Sequence, residues 1–211
     1  MSTAQDERAQ LCALLLALGP DEPTLCGDWR TRDLTAHLII RERRLDALPG
    51  MFVPVMAKYT AKVQKATAAR PWASVLTQLR QGPPRLSPAV ISKVDDLMNT
   101  IEFFVHHEDV RRAQDGWQPR PADGQRYAAL RSRLGSMAKL LTRQSPVGVK
   151  LDFGNGAAVV AKEAKDGHSV TVSGSPDEVT MFLFGRDAQA QVQLLGDTAD
   201  IEALRQSKRG I

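Results

Sequence analysis

Glu102 and His106 stand four residues apart in the run Asn99-Thr100-Ile101-Glu102-Phe103-Phe104-Val105-His106-His107-Glu108-Asp109-Val110. The run reads as helix. At about 3.6 residues per turn the two side chains share nearly one face, about 6 Å apart along the axis. Both lean the same way along the helix, so a carboxylate and an imidazole so placed can bind one transition-metal ion. The plainer reading is a Glu–His pair on a solvated face. Val94, Leu97, Met98, Ile101, Phe104 and Val105 form the main apolar stripe, with Glu102 and His106 on its edge, and Phe103 points to the opposite side. Such a helix is expected to be buried on more than one face. An ionisable pair at the rim of a buried stripe must be hydrogen-bonded, paired or metal-bound. His107, turned about 100° from His106, is expected at the surface or at a second site.

The chain has four histidines: His37, His106, His107 and His168. His37 lies beside Leu34 and Leu38 on an earlier helical stretch and can point into a bundle. His37, Glu102 and His106 then form a three-ligand set across two or more helices. Two imidazoles and a carboxylate, with a position left for water, are the pattern of a catalytic zinc site and not of a closed structural one. The alternative is a pair of core histidines with satisfied hydrogen bonds.

The elements that must position these residues follow from periodicity and breakers. Residues 6–18 make an amphipathic helix ended by Gly19-Pro20, and 21–29 a Pro- and Gly-containing loop. Thr31 is the expected N-cap of a second helix reaching about Leu48, with Asp33 in its first turn. Further helices are expected at 55–69, 72–79 and 123–143, with the Glu102 helix running to about Ala113. The stretch 81–88, with Pro83, Pro84 and Pro88, excludes helix and central strand. After Pro146 the period changes. Val147, Val149, Leu151 and Phe153 alternate, as do Val170 and Val172, and Val192 and Leu194, the pattern of half-buried strands. Asn155-Gly156 signals a hairpin. Helices are expected at 177–184 and from Ala199 to Gln206. The fold class is therefore α+β: a helical bundle over 1–145, then a small α+β domain over 146–211.

Composition bounds the function. The chain has 211 residues, 43% apolar and 25% charged, with a net charge of +4 and a sequence pI near 9.3. Lys and Arg alternate with Asp and Glu, so tracts such as Arg41-Glu42-Arg43-Arg44 read as helix surface and not as a nucleic-acid footprint. No apolar run approaches the roughly 20 residues of a membrane span, and the N-terminus lacks a signal-type segment. A cytoplasmic protein is expected. Cys12 and Cys26 have no CxxC spacing and are expected as free thiols.

Asp28-Trp29 followed by Thr31-Arg32-Asp33-Leu34-Thr35-Ala36-His37-Leu38 resembles the opening "W-x-x-x-D-L-x-x-H-L" signature of the mycothiol-dependent maleylpyruvate isomerase family, within the DinB-like metal-binding bundles. Glu102-Phe103-Phe104-Val105-His106 resembles the second signature of that family, a Glu and a His four apart on a later helix. The resemblance implies a DinB-like up-down bundle in which His37, Glu102 and His106 bind a divalent metal, usually zinc. It also implies mycothiol as the thiol partner. Val170 to Pro176, followed by Phe182-Leu183-Phe184-Gly185-Arg186, is similar to the sterol-carrier-like domain that ends these proteins. Fold and metal site carry over further than substrate, because the second domain is short and a full set of maleylpyruvate-binding residues has no match.

Other residues have both a chemical and a plain reading. Arg186 is a candidate catalytic residue, a carboxylate clamp, or simply a cation at a helix C-terminus. Arg85 is a lesser candidate of the same kind. Asp33 and Asp109 could support His37 and His106. Cys12 is expected in the core and Cys26 in an exposed loop. Trp29, Trp72 and Trp117 are expected as packing anchors at helix ends. Two functions remain open. One is a thiol-dependent transferase or isomerase acting on a small electrophilic substrate through a metal-activated thiol. The other is a non-catalytic metal-binding protein whose second domain takes an apolar ligand or partner. A monomer and a homodimer are equally compatible with the sequence.

Overall fold

The computed structural model describes residues 2–44, 46–51, 53–83, 93–154 and 158–210, with side chains throughout except at 51, 54 and 93–98. The Asn155-Gly156 hairpin, Arg85 and the stripe positions Val94, Leu97 and Met98 fall outside what is described. Two compact units divide the chain, Met1–Pro119 and Arg120–Ile211.

The first unit is helical. Helix α1 (Thr3–Leu18) starts at a capping box in which Ser2 and Gln5 exchange side-chain and backbone hydrogen bonds. It stops at Gly19, whose φ of 89° suits a residue without Cβ. Helix α2 (Thr31–Arg43) is capped by Arg30 and not by Thr31. The Asp33 carboxylate accepts from the Arg30 backbone N–H at 3.0 Å, while the Thr31 hydroxyl donates to the Gly19 carbonyl at 2.7 Å. Two 3₁₀ turns, Leu48–Met51 and Pro54–Met56, lead into α3 (Ala57–Ala68). Helices α4 (Trp72–Gln81) and α5 (Lys93–Arg111) complete the unit.

Leu11, Cys12 and Leu15 of α1 pack with Leu34, Leu38 and Ile39 of α2, with Val75, Leu76 and Leu79 of α4, and with Phe103 and Val110 of α5. This core holds α1 along α5. It fixes which way each remaining face of α5 must point. Phe103, His107 and Val110 are all buried, which at i, i+4 and i+7 is one stripe. Arg8 of α1 lies over the Phe103 ring at 4.4 Å, and Glu7 of α1 meets His107. Glu102, His106 and Asp109 are left on another face.

The second unit is α+β. Helix α6 (Gly124–Leu141), capped by Asp123, is followed by β1 (Gly148–Asp152), β2 (Val159–Lys162) and β3 (Ser169–Ser173). Then come α7 (Pro176–Leu183), β4 (Gln193–Leu195) and α8 (Thr198–Gln206). The sheet order is β2-β1-β3-β4, antiparallel except for the β1–β3 pair. The inward residues Val149, Leu151, Val170 and Val172 are fully buried, as their alternation requires. The change of period at Pro146 does not coincide with the division into units, because α6 packs on α7 and β2. Arg126 of α6 makes a buried two-point ion pair with Asp177 of α7, with Nε 3.0 and 3.1 Å from the carboxylate oxygens. Thr142, capping α6, donates to the Ala161 carbonyl of β2 at 3.3 Å. Among the described residues, no helix is long and apolar enough to cross a membrane.

Candidate metal centre

His37 on α2 and Glu102 and His106 on α5 meet, as their spacing and faces anticipate. His37 Nε2 is 3.2 Å and His106 Nε2 3.3 Å from the same Glu102 oxygen. The ligand atoms of the three residues all lie within 4.8 Å of one another. Donors on a tetrahedral zinc with bonds of about 2.0 Å are about 3.3 Å apart. The donor set and its spacing therefore fit a divalent ion. The three side chains are 15%, 21% and 12% exposed, so the group is largely withdrawn from water yet reachable.

The loop before α2 closes one side. The Leu25 backbone N–H donates to the Asp109 carbonyl at 3.1 Å, strapping the loop to α5. Within it, Thr24 Oγ1 donates to the Trp29 carbonyl and accepts from the Cys26 backbone N–H, and Gly27 turns the chain at φ 61°. Trp29 reaches the bundle core and also sets its ring 5.2 Å from His37. The His37 and His106 rings meet edge to face at 5.1 Å.

Asp109 fixes His106. Its fully buried carboxylate accepts from His106 Nδ1 at 3.0 Å and from the Cys26 thiol at 3.0 Å. With Nδ1 committed, Nε2 is the nitrogen left to face Glu102, an outer arrangement common behind metal-binding histidines. Cys26, His106 and Asp109 also form a second group of ligand-type atoms, on the opposite edge of the same imidazole. Asp33 takes the plainer role, capping α2 instead of supporting His37.

Arg41 and Asn99 also belong to the site, although the charged tract that holds Arg41 reads as helix surface in the sequence. Arg41 Nε is 3.4 Å from the Glu102 oxygen that both histidines face, and its Nη1 donates to Asn99 Oδ1 at 2.5 Å. Their signal was spacing, since Arg41 is one turn after His37 and Asn99 three residues before Glu102. The tract Arg41-Glu42-Arg43-Arg44 is not a plain solvated surface. Glu42 is buried and paired with Arg8, and Arg43 donates to backbone carbonyls at Gln78 and Gly82.

Charges in the group follow from these contacts. Burial pushes the Glu102 carboxyl up, but hydrogen bonds from His106 and His37 and the Arg41 charge outweigh it and hold the group well below its usual range. Burial also opposes charge on His106. Hydrogen bonds to Asp109, Cys26 and Glu102 nevertheless carry it well above the usual imidazole value. For His37 burial prevails over the Glu102 hydrogen bond, with His106 and Arg41 adding to it, and its pKa falls.

His107 is not at the surface. It is 4% exposed, with Nδ1 2.8 Å from Glu7, because α5 is covered on the α1 side as well. Replacing it by alanine weakens a buried polar pair, a cost of about 1–3 kcal/mol. His107→Ala is therefore expected to lower the melting temperature while leaving metal stoichiometry unchanged; metal loss would place His107 in the site. Arg186 lies in the second unit, just past α7, where Nη1 donates to the Phe184 carbonyl at 2.5 Å.

The sequence matches no protein-family model and no curated protein. Its fold does have relatives. The crystal structure of the mycothiol-dependent maleylpyruvate isomerase aligns with a TM-score of 0.62, over 93% of this chain and 92% of that one, at 14% identity. A histidine-to-alanine mutant of that isomerase aligns at 0.60 over the same shares, at 15% identity. This chain has the isomerase fold. The likeness extends over both the helical and the α+β unit, and at such identity it speaks for architecture, leaving the chemistry to the residues above.

Proposed function

We propose that the protein binds one divalent metal ion, zinc by its donor set, through His37, Glu102 and His106, and uses it with mycothiol in a transfer or isomerisation on a small electrophilic acid. The observation that carries this reading is the convergence of two imidazole nitrogens on one carboxylate oxygen at 3.2 and 3.3 Å, within a fold shared with a mycothiol-dependent enzyme. A divalent ion so held supplies a Lewis acid and lowers the pKa of a nearby thiol, favouring thiolate at neutral pH.

The chain's own groups do the rest. Asp109 keeps His106 oriented, and burial lowers the His37 pKa, favouring the neutral ring that a metal needs. Trp29 shields the His37 ring from water on one side. The Cys26 thiol donates to Asp109 at the Nδ1 edge of His106, so it is not the attacking group in this reading; the small thiol is. In the second unit we propose Arg186 as a carboxylate clamp and retain the sterol-carrier-like assignment. That unit has its own cavity of about 450 Å³ lined in part by Tyr127, Arg131 and Phe153, within the size range of small-molecule sites.

X-ray absorption on the zinc-loaded protein tests the reading without knowledge of the substrate. Adding mycothiol is expected to exchange one light-atom neighbour of zinc for sulfur at about 2.3 Å. A shell that does not change, and already contains a fourth protein ligand, supports the non-catalytic binding protein instead.

A further inference from the structure

Several of the described buried or half-buried arginines are bound to a carboxylate at two points. Arg8 places both terminal nitrogens on Glu42, Arg126 spans both oxygens of Asp177, and Arg209 spans both oxygens of Asp187. Paired in this way, a guanidinium has its charge offset and its fork filled. Arg41 is arranged differently. Its side chain is 15% exposed, yet its one acidic neighbour among the described side chains is met by Nε alone at 3.4 Å, longer than a charge-assisted hydrogen bond. What holds the guanidinium is a neutral group, the Asn99 amide oxygen, itself part of a residue 7% exposed. Among the described residues Nη2 has no hydrogen-bond partner, and it is not one of the enclosed side-chain nitrogens. The fork is thus fixed in place but left open on one edge.

Charge sharpens the point. The Glu102 oxygen near Arg41 is the same one that His37 and His106 face. A divalent ion beside Glu102 would draw on that carboxylate and leave Arg41 as a second positive centre with no other carboxylate against it among the described side chains. Asp109 lies behind His106 and is engaged by His106 and Cys26. A site so charged favours a ligand that brings a negative group.

Resting on the metal reading above, we infer that Arg41 is the residue that selects for acidic ligands at this centre: its open edge takes a carboxylate carried within a bond or two of the atom that approaches the metal. Asn99 positions the guanidinium for this. Arg186 is not needed for it, since Arg41 sits on α2 one turn beyond His37.

Binding of two small thiols that differ in a carboxylate, mercaptoacetate and 2-mercaptoethanol, tests this on cobalt-loaded protein, where the cobalt absorption bands report ligand exchange without any turnover. Wild type is expected to prefer mercaptoacetate by about tenfold or more, the scale of one charge-assisted hydrogen-bonded contact. In Arg41→Gln the ratio of mercaptoacetate to 2-mercaptoethanol affinity, read on the cobalt-holding fraction, is expected to fall to about one. Arg41→Lys should keep part of it. Acetate added to wild type holding 2-mercaptoethanol distinguishes the two sources of the acid. If acetate binds, the carboxylate belongs to a second molecule, and if only mercaptoacetate is favoured, it belongs to the thiol. No preference in wild type, or a preference that survives in Arg41→Gln, overturns the inference. So does loss of cobalt from Arg41→Gln, which would make Arg41 a support for Glu102 only. A wild type that binds no cobalt at all overturns the metal reading itself, and this inference with it.

Discussion

His106→Ala and His37→Ala protein is expected to lose tight zinc binding, while wild type takes up one ion per chain. Both nitrogens face one Glu102 oxygen at tetrahedral-edge distances, so each deletion leaves two donors, too few for a tight site in a largely buried position. Groups that merely orient a ligand are worth roughly 10- to 100-fold in metal affinity, and removing the ligand itself should exceed that, beyond about 100-fold. Asp109→Asn falls in the smaller range, because the amide can still accept from His106 Nδ1 but no longer offsets charge on the ring. Competition against a chromophoric chelator ranks the variants directly. Wild-type affinity in either histidine variant would show that the convergence on Glu102 is only a hydrogen-bonded cluster.

The parts of this centre that could be read from the sequence are those set by helix geometry. Glu102 and His106 share a face because they are four apart, and His37 lies on α2 beside the core leucines Leu34 and Leu38. The parts that could not be read depend on what lies opposite. His107 looked exposed until α1 supplied Glu7 on that side. Glu42 and Arg41 lay within a charged tract whose plainest reading is solvated helix, and only the presence of Arg8 and Asn99 across the bundle makes them interior groups. Buried charges are legible when their partners are local; these partners are 34 and 58 residues away. The strands announced themselves by alternation, except β2, whose short run Val159–Lys162 is too brief for a period to register. A helix gives no sign of which neighbours it will pack on, so the sequence does not show that α6 packs on α7 and β2. Arg126 and Asp177 needed the fold to find each other.

Metal affinity and metal-free stability are expected to depend on pH in opposite directions above the usual imidazole pKa of 6.5. Burial disfavours charge on His106, but its hydrogen bonds to Asp109, Cys26 and Glu102 prevail and raise its pKa well above that value. A metal must displace this proton. Below the raised pKa, binding therefore releases one proton, and affinity climbs about tenfold per pH unit before levelling off above it. Glu102, held well below its usual range, and His37, also lowered, add no further proton in this interval. The sign for chelator-treated protein is the reverse. A raised folded-state pKa contributes stability that is fully present below the unfolded value and is lost as pH rises through the folded one. Chelator-treated protein should thus melt at progressively lower temperature as pH rises through the His106 pKa, while the zinc-loaded protein does not follow it. Paired melting curves across that interval, with proton release measured by calorimetry in buffers of different ionisation enthalpy, read both slopes. If affinity is flat with pH, or no proton is released, His106 is not the protonated ligand, and the zinc, if bound, enters through other groups.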